Sequence, residues 1–452
     1  MERTILSKLS CLALAALLLA SCTGAPVNPA ETGPTALKEV PAVRLNYRYE
    51  ADVPPPTENK PAVSDERNAA VQADFDNNRL LELLDKTFTS PDGKRVVAAY
   101  HLPLDRMGEF RLDMYSSDGR LLKKISSDAM AVRFPDTIVW SPDSSTVAFM
   151  AKTRGLADPM ATPAPTDEAR TPVPTATPTA EADANTNTTP ADPEANANAE
   201  LPPAQPTPAA PDNVLTFRTE QIYTCNAEGD GVKPLTQSEG LIYFYFVWSP
   251  DSSMLASIAA TGREWQVLEA RAEQAKEHFV PLGRPRVIEK NGRERRLDDG
   301  LTAAQPVWSP DSAKIACAFN DQVRIYDAGG DAPTQAAIPL RNDLLLSSQA
   351  YDREQASQLS VDPVNTNTNA AANSNANGNA NTNAAALPPG ALPDPNTLVS
   401  FNPIVMLKWP TEDQLYFQTA FVKRMKNDAD SVMSFARWHR LILTPQPSAA
   451  GQ

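Results

Sequence analysis

The chain is poor in the residues that usually carry chemistry: four cysteines and three histidines in 452 residues. His101, His278 and His439 stand alone, without the i, i+4 spacing that puts two imidazoles on one helix face for zinc. No G-x-S-x-G elbow occurs, which removes the strand–turn–helix serine nucleophile of α/β hydrolases. Neither a Gly-rich phosphate loop nor a dinucleotide fingerprint is present. Asp74-Phe75-Asp76-Asn77-Asn78 opens like a calcium loop, but Arg79 stands where the sixth-position glycine is required and Asp85 where the bidentate glutamate is required. The expectation is therefore a protein without catalytic residues, cofactor or metal.

Long apolar runs are also lacking, except at the start. Residues 1–21 place Arg3 and Lys8 ahead of a Leu/Ala stretch too short to span a bilayer, the pattern of a secretory signal. Leu19-Ala20-Ser21-Cys22 resembles a bacterial lipobox, which implies that Cys22 carries the lipid and that the mature chain is tethered to a membrane by that anchor alone. Thr23, where aspartate would favour retention in the inner membrane, makes the resemblance one to a lipoprotein of the outer membrane's periplasmic face or the cell surface. Setting Cys11 and Cys22 aside leaves Cys225 and Cys317, which an oxidising compartment could pair. They fall in repeat units that are not neighbours, so two separate buried thiols are expected.

The formal charge is −14, but it is unevenly spread. Residues 158–212 hold nine carboxylates against Arg170, a net of −8, in a tract of Pro, Thr, Ala and acid that offers too little apolar area to offset chain ordering. A second tract, 365–395, is Asn/Ala-rich and reads the same way. Residues 22–61 form a Pro-rich stalk, 62–447 the folded body, and 448–452 a disordered tail.

What the chain has in abundance is one short phrase. "WSPD" occurs at Trp140, Trp248 and Trp308, with a related copy at 88–93 in which Phe88 is placed in the tryptophan slot, and a degenerate one at Trp409. The spacings of 108, 60 and 101 residues become comparable once the two tracts are removed, leaving a unit of about 50 to 60 residues, the period of an array or propeller. Short β-branched or aromatic runs follow each copy (VVAAY, VAFMA, LASIA, IACAF, LYFQT), so the phrase is a turn between strands. Proline presets φ, and Asp92, Asp143, Asp251 and Asp311 accept from nearby backbone N–H groups. Further hairpins follow at SSDG (116–119), NAEGDG (226–231) and DAGGD (327–331), and a two-residue Asn291-Gly292 hairpin is expected within 286–293. Residues 263–278 and 344–359 read as helical insertions. Each unit has room for four antiparallel strands. The fold class is therefore all-β, a β-propeller with five visible repeats and two long disordered inserts; a sixth blade is expected from 43–50 together with late strands near 433–443. Trp140, Trp248, Trp308 and Trp409 fill the wedge between blades.

The repeat W-S-P-D-x-x-x-(I/L/V)-A, with IYTCNAEGDGVKPLT at 222–236, resembles that of TolB-type propellers, also called WD40-like repeats. The resemblance implies a cell-envelope protein of six blades that works by binding other proteins. Prolyl oligopeptidases share such propellers but need a carboxy-terminal hydrolase domain, and with only a short stretch after the last strand no such domain is expected here. The expected role is a non-catalytic, monomeric protein-binding or scaffolding module for envelope proteins, without nucleic acid; a propeller enzyme, or a carbohydrate or peptide binder using the central channel, is the alternative. One basic stretch, Arg284, Arg286, Lys290, Arg293, Arg295 and Arg296, is a candidate surface for an acidic partner.

Overall fold

The computed structural model describes residues 36–57, 67–155, 214–359 and 391–446. The signal, Cys22, part of the stalk (residues 22–35 and 58–61), nearly all of both inserts and the tail lie outside these residues.

Chain order explains the architecture. β1 (Leu45–Glu50) and α1 (Ala69–Asn78) precede the first blade, made of β2 (Leu83–Thr89), β3 (Arg95–His101), β4 (Arg111–Ser116) and β5 (Leu121–Lys124). The second blade has an inner strand broken into β6 (Met130–Arg133) and β7 (Val139–Trp140), both pairing with β8 (Thr146–Thr153), followed by β9 (Gln221–Asn226) and β10 (Lys233–Pro234). The third contains β11 (Leu241–Trp248), β12 (Met254–Thr261), the inserted α2 (Gly262–Ala275), β13 (Arg284–Glu289) and β14 (Glu294–Arg296). β15 (Val307–Trp308), β16 (Lys314–Phe319), β17 (Gln322–Asp327) and β18 (Gln335–Pro339) form the fourth, and α3 (Arg341–Leu359) follows. In the fifth, β19 (Ile404–Thr411), β20 (Gln414–Lys423) and β21 (Val432–Pro445) are completed by β1.

All five sheets are antiparallel, and the fold is a β-propeller of four-stranded blades. The sixth blade expected from the sequence requires correction among the described residues. Residues 45–50 pair with β21 from Leu45↔Pro445 to Glu50↔Arg440, so both groups of strands belong to the fifth blade. An early strand that completes a late sheet ties the ends of the chain together, and sequence adjacency does not reveal it.

Apolar clusters join the first blade to the second, the second to the third, the third to the fourth and the fourth to the fifth. The remaining face of the first blade is covered by α1, whose Val71 and Phe75, four residues apart, pack on Leu84, Val96, Ala98, Tyr100 and Tyr115. Asn68 caps this helix by accepting from the N–H groups of Ala70 and Val71, which places Asp74 to Asn78 in a helix and not in a calcium loop. The α2 insertion begins with a capping box between Thr261 and Glu264 and ends with Lys276 in the left-handed region. The Asn-Gly hairpin is wider than expected. Glu289 exchanges hydrogen bonds with Arg293 and Gly292, enclosing a three-residue loop in which Gly292 has a φ of +87°.

Cys225 in β9 and Cys317 in β16 are free and buried, and burial raises both thiols, Cys225 to about 12. Each behaves as a small apolar core residue.

Candidate binding face

The tryptophans act as staples between blades. The indole N–H of Trp140 donates to the Phe88 carbonyl at 2.9 Å, that of Trp248 to Val139 at 3.4 Å, and that of Trp308 to Val247 at 3.2 Å. This register corrects the placing of Phe88. It is equivalent to Val139 and Val247, and the tryptophan slot of the first blade is held by Thr89, which is exposed, with no earlier blade against it among the described residues. Trp409 is buried against the fourth blade, but its N–H turns back to the Glu412 carbonyl of its own degenerate turn.

A second ladder was not foreseen from the sequence. Ser144, Ser252 and Ser312 have φ between +61° and +64°, where Gly93 in the first copy has +71°. Each of these serine hydroxyls accepts the backbone N–H of the preceding blade's aspartate: Asp92, Asp143 and Asp251. The signal available was serine at a position that geometry would give to glycine. The four aspartates close their own turns: Asp92 accepts from Ser90 and the Lys94 N–H, Asp143 from Ser141 and the Ser145 N–H, Asp251 from Ser249 and the Ser253 N–H, and Asp311 from Ser309 and the Ala313 N–H. Partial burial raises the Asp143 carboxyl, but the bonds from Ser141 and Ser145 outweigh it and hold it at about 2.

Strand alternation divides the propeller into two unlike ends. Connections between the first and second, and the third and fourth, strands of every blade lie at one end, and these are the short motif turns. Second-to-third connections and blade-to-blade crossings lie at the other end. That end carries Gly155 and Val214, the described residues that flank the first insert, together with α2, α3 and the β20–β21 connection. Apart from Val43 and Tyr47, the exposed large apolar side chains among the described residues also lie there, including Leu80, Leu81, Leu104, Met107, Val267, Val280, Phe421, Val422, Val432, Met433 and Phe435. Nearby, Trp265 of α2 meets Phe279 edge-on at 4.8 Å between centroids and lies 5.6 Å from Phe244 and 6.1 Å from Phe134.

The insert end is also where blades one and two are pinned by charge. Arg154 reaches Asp105 at 3.1 Å and Glu109 at 3.7 Å, Arg111 joins Asp105 and Asp128, and Lys152 and Arg133 both approach Glu220. These bonds secure the roots of the first insert. The N–H of Thr153 donates to the Phe217 carbonyl at 2.7 Å, and Arg154 donates to the carbonyls of Phe110 and Met130. Replacing 160–210 by a short Gly/Ser linker is expected to leave the melting midpoint within about a few degrees, because shortening a long loop changes closure entropy by only about 0.6 kcal/mol per halving. A thermal melt that loses cooperativity would refute this.

The basic stretch does not form one open patch. Arg284 pairs with Glu264 at 2.6 Å, Arg286 with Glu294 at 2.7 Å and Arg296 with Asp299 at 2.8 Å. Arg293 lies 3.6 Å from Glu289, Lys290 lies 4.0 Å from Asp143 and over the Trp248 ring, and Arg295 donates to the carbonyls of Asp327 and Ala328 in the next blade. Lys290 and Arg293 lie at the turn end, Arg284 and Arg296 at the insert end, so antiparallel pairing divides what the sequence places together. A polar groove of about 640 Å³ between the outer edges of blades two and three is lined by Lys233, Thr236, Lys290, Asn291 and Glu294.

The three histidines are separate. His101 Nδ1 lies 2.6 Å from Asp85, and His278 is exposed beyond α2. His439 is wholly buried in the fifth blade, its two nitrogens meeting the hydroxyls of Tyr49 at 2.9 Å and Thr419 at 3.1 Å. Burial, reinforced by Arg437 and opposed by Asp52, lowers it to about 4. Its folded value lies below the unfolded one, so its contribution to stability is present above about pH 6.5 and is lost as pH falls toward 4. Relative to His439→Gln, the native chain is expected to lose roughly 3 kcal/mol across that window, measured by urea denaturation at each pH.

These features define the class: a β-propeller with a smooth turn end and an apolar, insertion-bearing end. No known sequence family and no curated protein matches the chain. Among solved structures, it is similar to a TolB-type protein from Agrobacterium tumefaciens, with 13% identity, a TM-score of 0.30, and coverage of 81% of this chain and 91% of that one. It is similar to an oligogalacturonate lyase from Vibrio parahaemolyticus, with 10% identity, a TM-score of 0.33, and coverage of 87% and 73%. An oligogalacturonate lyase in complex with manganese matches at 12% identity and a TM-score of 0.26 over 55% of this chain, which spans 46% of that protein's length. Overlaps this loose leave the fold to be read from the sheet pairing itself. No helix among the described residues is long and apolar enough to cross a membrane.

Proposed function

We propose that the chain is a lipid-anchored cell-envelope β-propeller acting as a non-catalytic protein-binding or scaffolding module, and that its insert end is the binding face. The observation that supports this reading is the concentration of exposed Leu, Met, Val and Phe side chains at one end of the blades, opposite an end made of short polar turns. Apolar surface gathered on one face marks a place where another macromolecule is received. Envelope location rests on the signal and on Cys22.

Photo-cross-linkers placed singly at Leu104, Val267 and Met433, and at Lys290 and Arg293 of the turn end, provide the test in cells. The expected result is discrete adducts from the first three positions only, diminished when Cys22→Ala releases the protein from the membrane fraction. Adducts from the turn end alone would overturn the assignment of the face.

A further inference from the structure

We infer that the outer edge of β21 at residues 432–436 is a strand-addition site for an extended, largely apolar segment of a partner protein, a reading that rests on the binding face proposed above. β19 pairs with β20 as far as Ile404↔Thr419, with one further bond from the Ala420 N–H to the Pro403 carbonyl, and β1 with β21 as far as Glu50↔Arg440, with one further bond from the Val53 N–H to the Trp438 carbonyl. Beyond those limits the two strands continue as a ribbon through Phe421↔Ser434, Val422↔Met433 and Lys423↔Val432. Phe435, with a φ of +52°, marks a bulge that separates the ribbon from the blade.

The ribbon is held in place. The N–H of His278 donates to the Arg424 carbonyl at 2.8 Å, the N–H of Lys426 to Lys276 at 3.3 Å, and Lys423 lies 3.7 Å from Glu277. Lys426 also pairs with Glu273 of α2. This brace covers the side of the tip that continues from β20. On the β21 side, the backbone groups of 432–436 have no backbone partner among the described residues outside the β20 pairing. Met433 is 59% exposed, and Val432, Phe435, Phe421 and Val422 of the same ribbon are exposed as well.

A long apolar edge left unpaired is a template for another strand, and one already fixed in place loses little freedom on pairing. Main-chain bonds would supply affinity, and the surrounding Met, Phe and Val side chains would select apolar residues at alternate positions. Arg424 at the tip favours an acidic residue at an end of the segment, Lys423 and Lys426 being engaged by Glu277 and Glu273.

The tether argues for a protein and against the bilayer. The chain enters at the turn end, where Lys314 donates to the Val40 carbonyl at 2.6 Å and Ala42 donates to Asp327 at 3.0 Å. Thirteen residues lie between Cys22 and Ala36, so a lipid anchor at Cys22 would draw the turn end toward the membrane, with the ribbon projecting from the opposite end.

The probe is an eight-residue peptide of alternating valine and threonine with a glutamate at each end, compared with the same peptide N-methylated on alternate amides. Amide hydrogen exchange of the full mature chain is followed with each at millimolar concentration. The unmodified peptide is expected to slow exchange at 432–436 by about tenfold or more; the N-methylated peptide and the Met433→Asp chain are expected to show no slowing, with the variant's thermal midpoint unchanged. Equal protection by both peptides, or none by either, overturns strand addition. Self-association lost in Met433→Asp would assign the edge to a second copy, and Met433-dependent binding to anionic vesicles would assign it to lipid; either overturns the inference. Adducts that still form at Leu104 and Val267 after such a failure would leave the binding-face reading standing, whereas absence of adducts at all three positions would remove that reading itself.

Discussion

Asp113→Ala is expected to destabilise the first blade by about 3–5 kcal/mol, the usual consequence of removing one partner from a buried ion pair. The Asp113 side chain is 1% exposed and lies 2.8 Å from Arg79 Nη1. Arg79 is itself sandwiched over the rings of Phe75 and Tyr100, at 4.2 and 4.4 Å from their centroids, and joins Glu82 and the Tyr115 hydroxyl. Truncating the aspartate would leave a guanidinium buried without its main counter-charge. The double variant Arg79→Met, Asp113→Leu should recover most of the loss, because a matched apolar pair has no desolvation cost to offset. Urea denaturation of the three variants checks both statements, and a single-variant loss below about 1 kcal/mol would mean that water reaches the pair.

Asp113 also shapes the response to pH. Burial raises its carboxyl to about 6 against the pull of Arg79. A folded value above the unfolded one favours the folded state below about pH 4, and this contribution is lost as pH rises through 6. The slope is opposite to that of His439 over the same range, which is why the histidine effect must be measured as a difference from His439→Gln.

Trp248→Ala is expected to cost about 3–5 kcal/mol, since a large ring is removed from a packed boundary that cannot collapse around the hole. Trp248 is 5% exposed and lies among Ala148, Met150, Tyr243, Phe246, Leu255 and Ile288 of blades two and three. Trp248→Phe keeps most of the volume and loses the bond to Val139, so a cost nearer 1–2 kcal/mol is expected. Thr89→Ala, at the equivalent position of the first blade, should change stability by less than about 0.5 kcal/mol, because its side chain is exposed. Denaturation midpoints of the three variants would rank the staples, and equal losses at Trp248 and Thr89 would contradict the role given to the ring.

Much of the blade was legible because the turn motif is local. Pro142, Asp143 and the residue after them specify a turn irrespective of neighbours, and the run that follows alternates as a strand. The helices at 263–278 and 344–359 were legible from their charge and apolar spacing, and α2 and α3 occupy most of those residues. α1 was not: Asp74, Asp76, Asn77 and Asn78 favour turns, and the segment is held helical by the Asn68 cap together with the contact of Val71 and Phe75 with the first blade. The register of the first motif copy was misplaced because Phe88 resembles the missing tryptophan, whereas the aspartates show that Thr89 occupies that slot.

The candidate face was hardly legible at all. A basic cluster stands out in the sequence but is paired to Glu264, Glu294, Asp299 and neighbouring carbonyls. The apolar side chains that gather at the insert end are scattered from Leu80 to Phe435 and share no motif.

The sequence by itself determined the repeating unit, its turns, the antiparallel strands and the places where the units are interrupted, because each depends on interactions within a few residues. Only the tertiary structure decided that β1 completes the last blade, that α1 covers the first, and that the apolar residues of distant loops share one end. Those facts depend on which surfaces meet across hundreds of residues, and burial, charge pairing and strand direction settle that jointly, without leaving a local pattern to read.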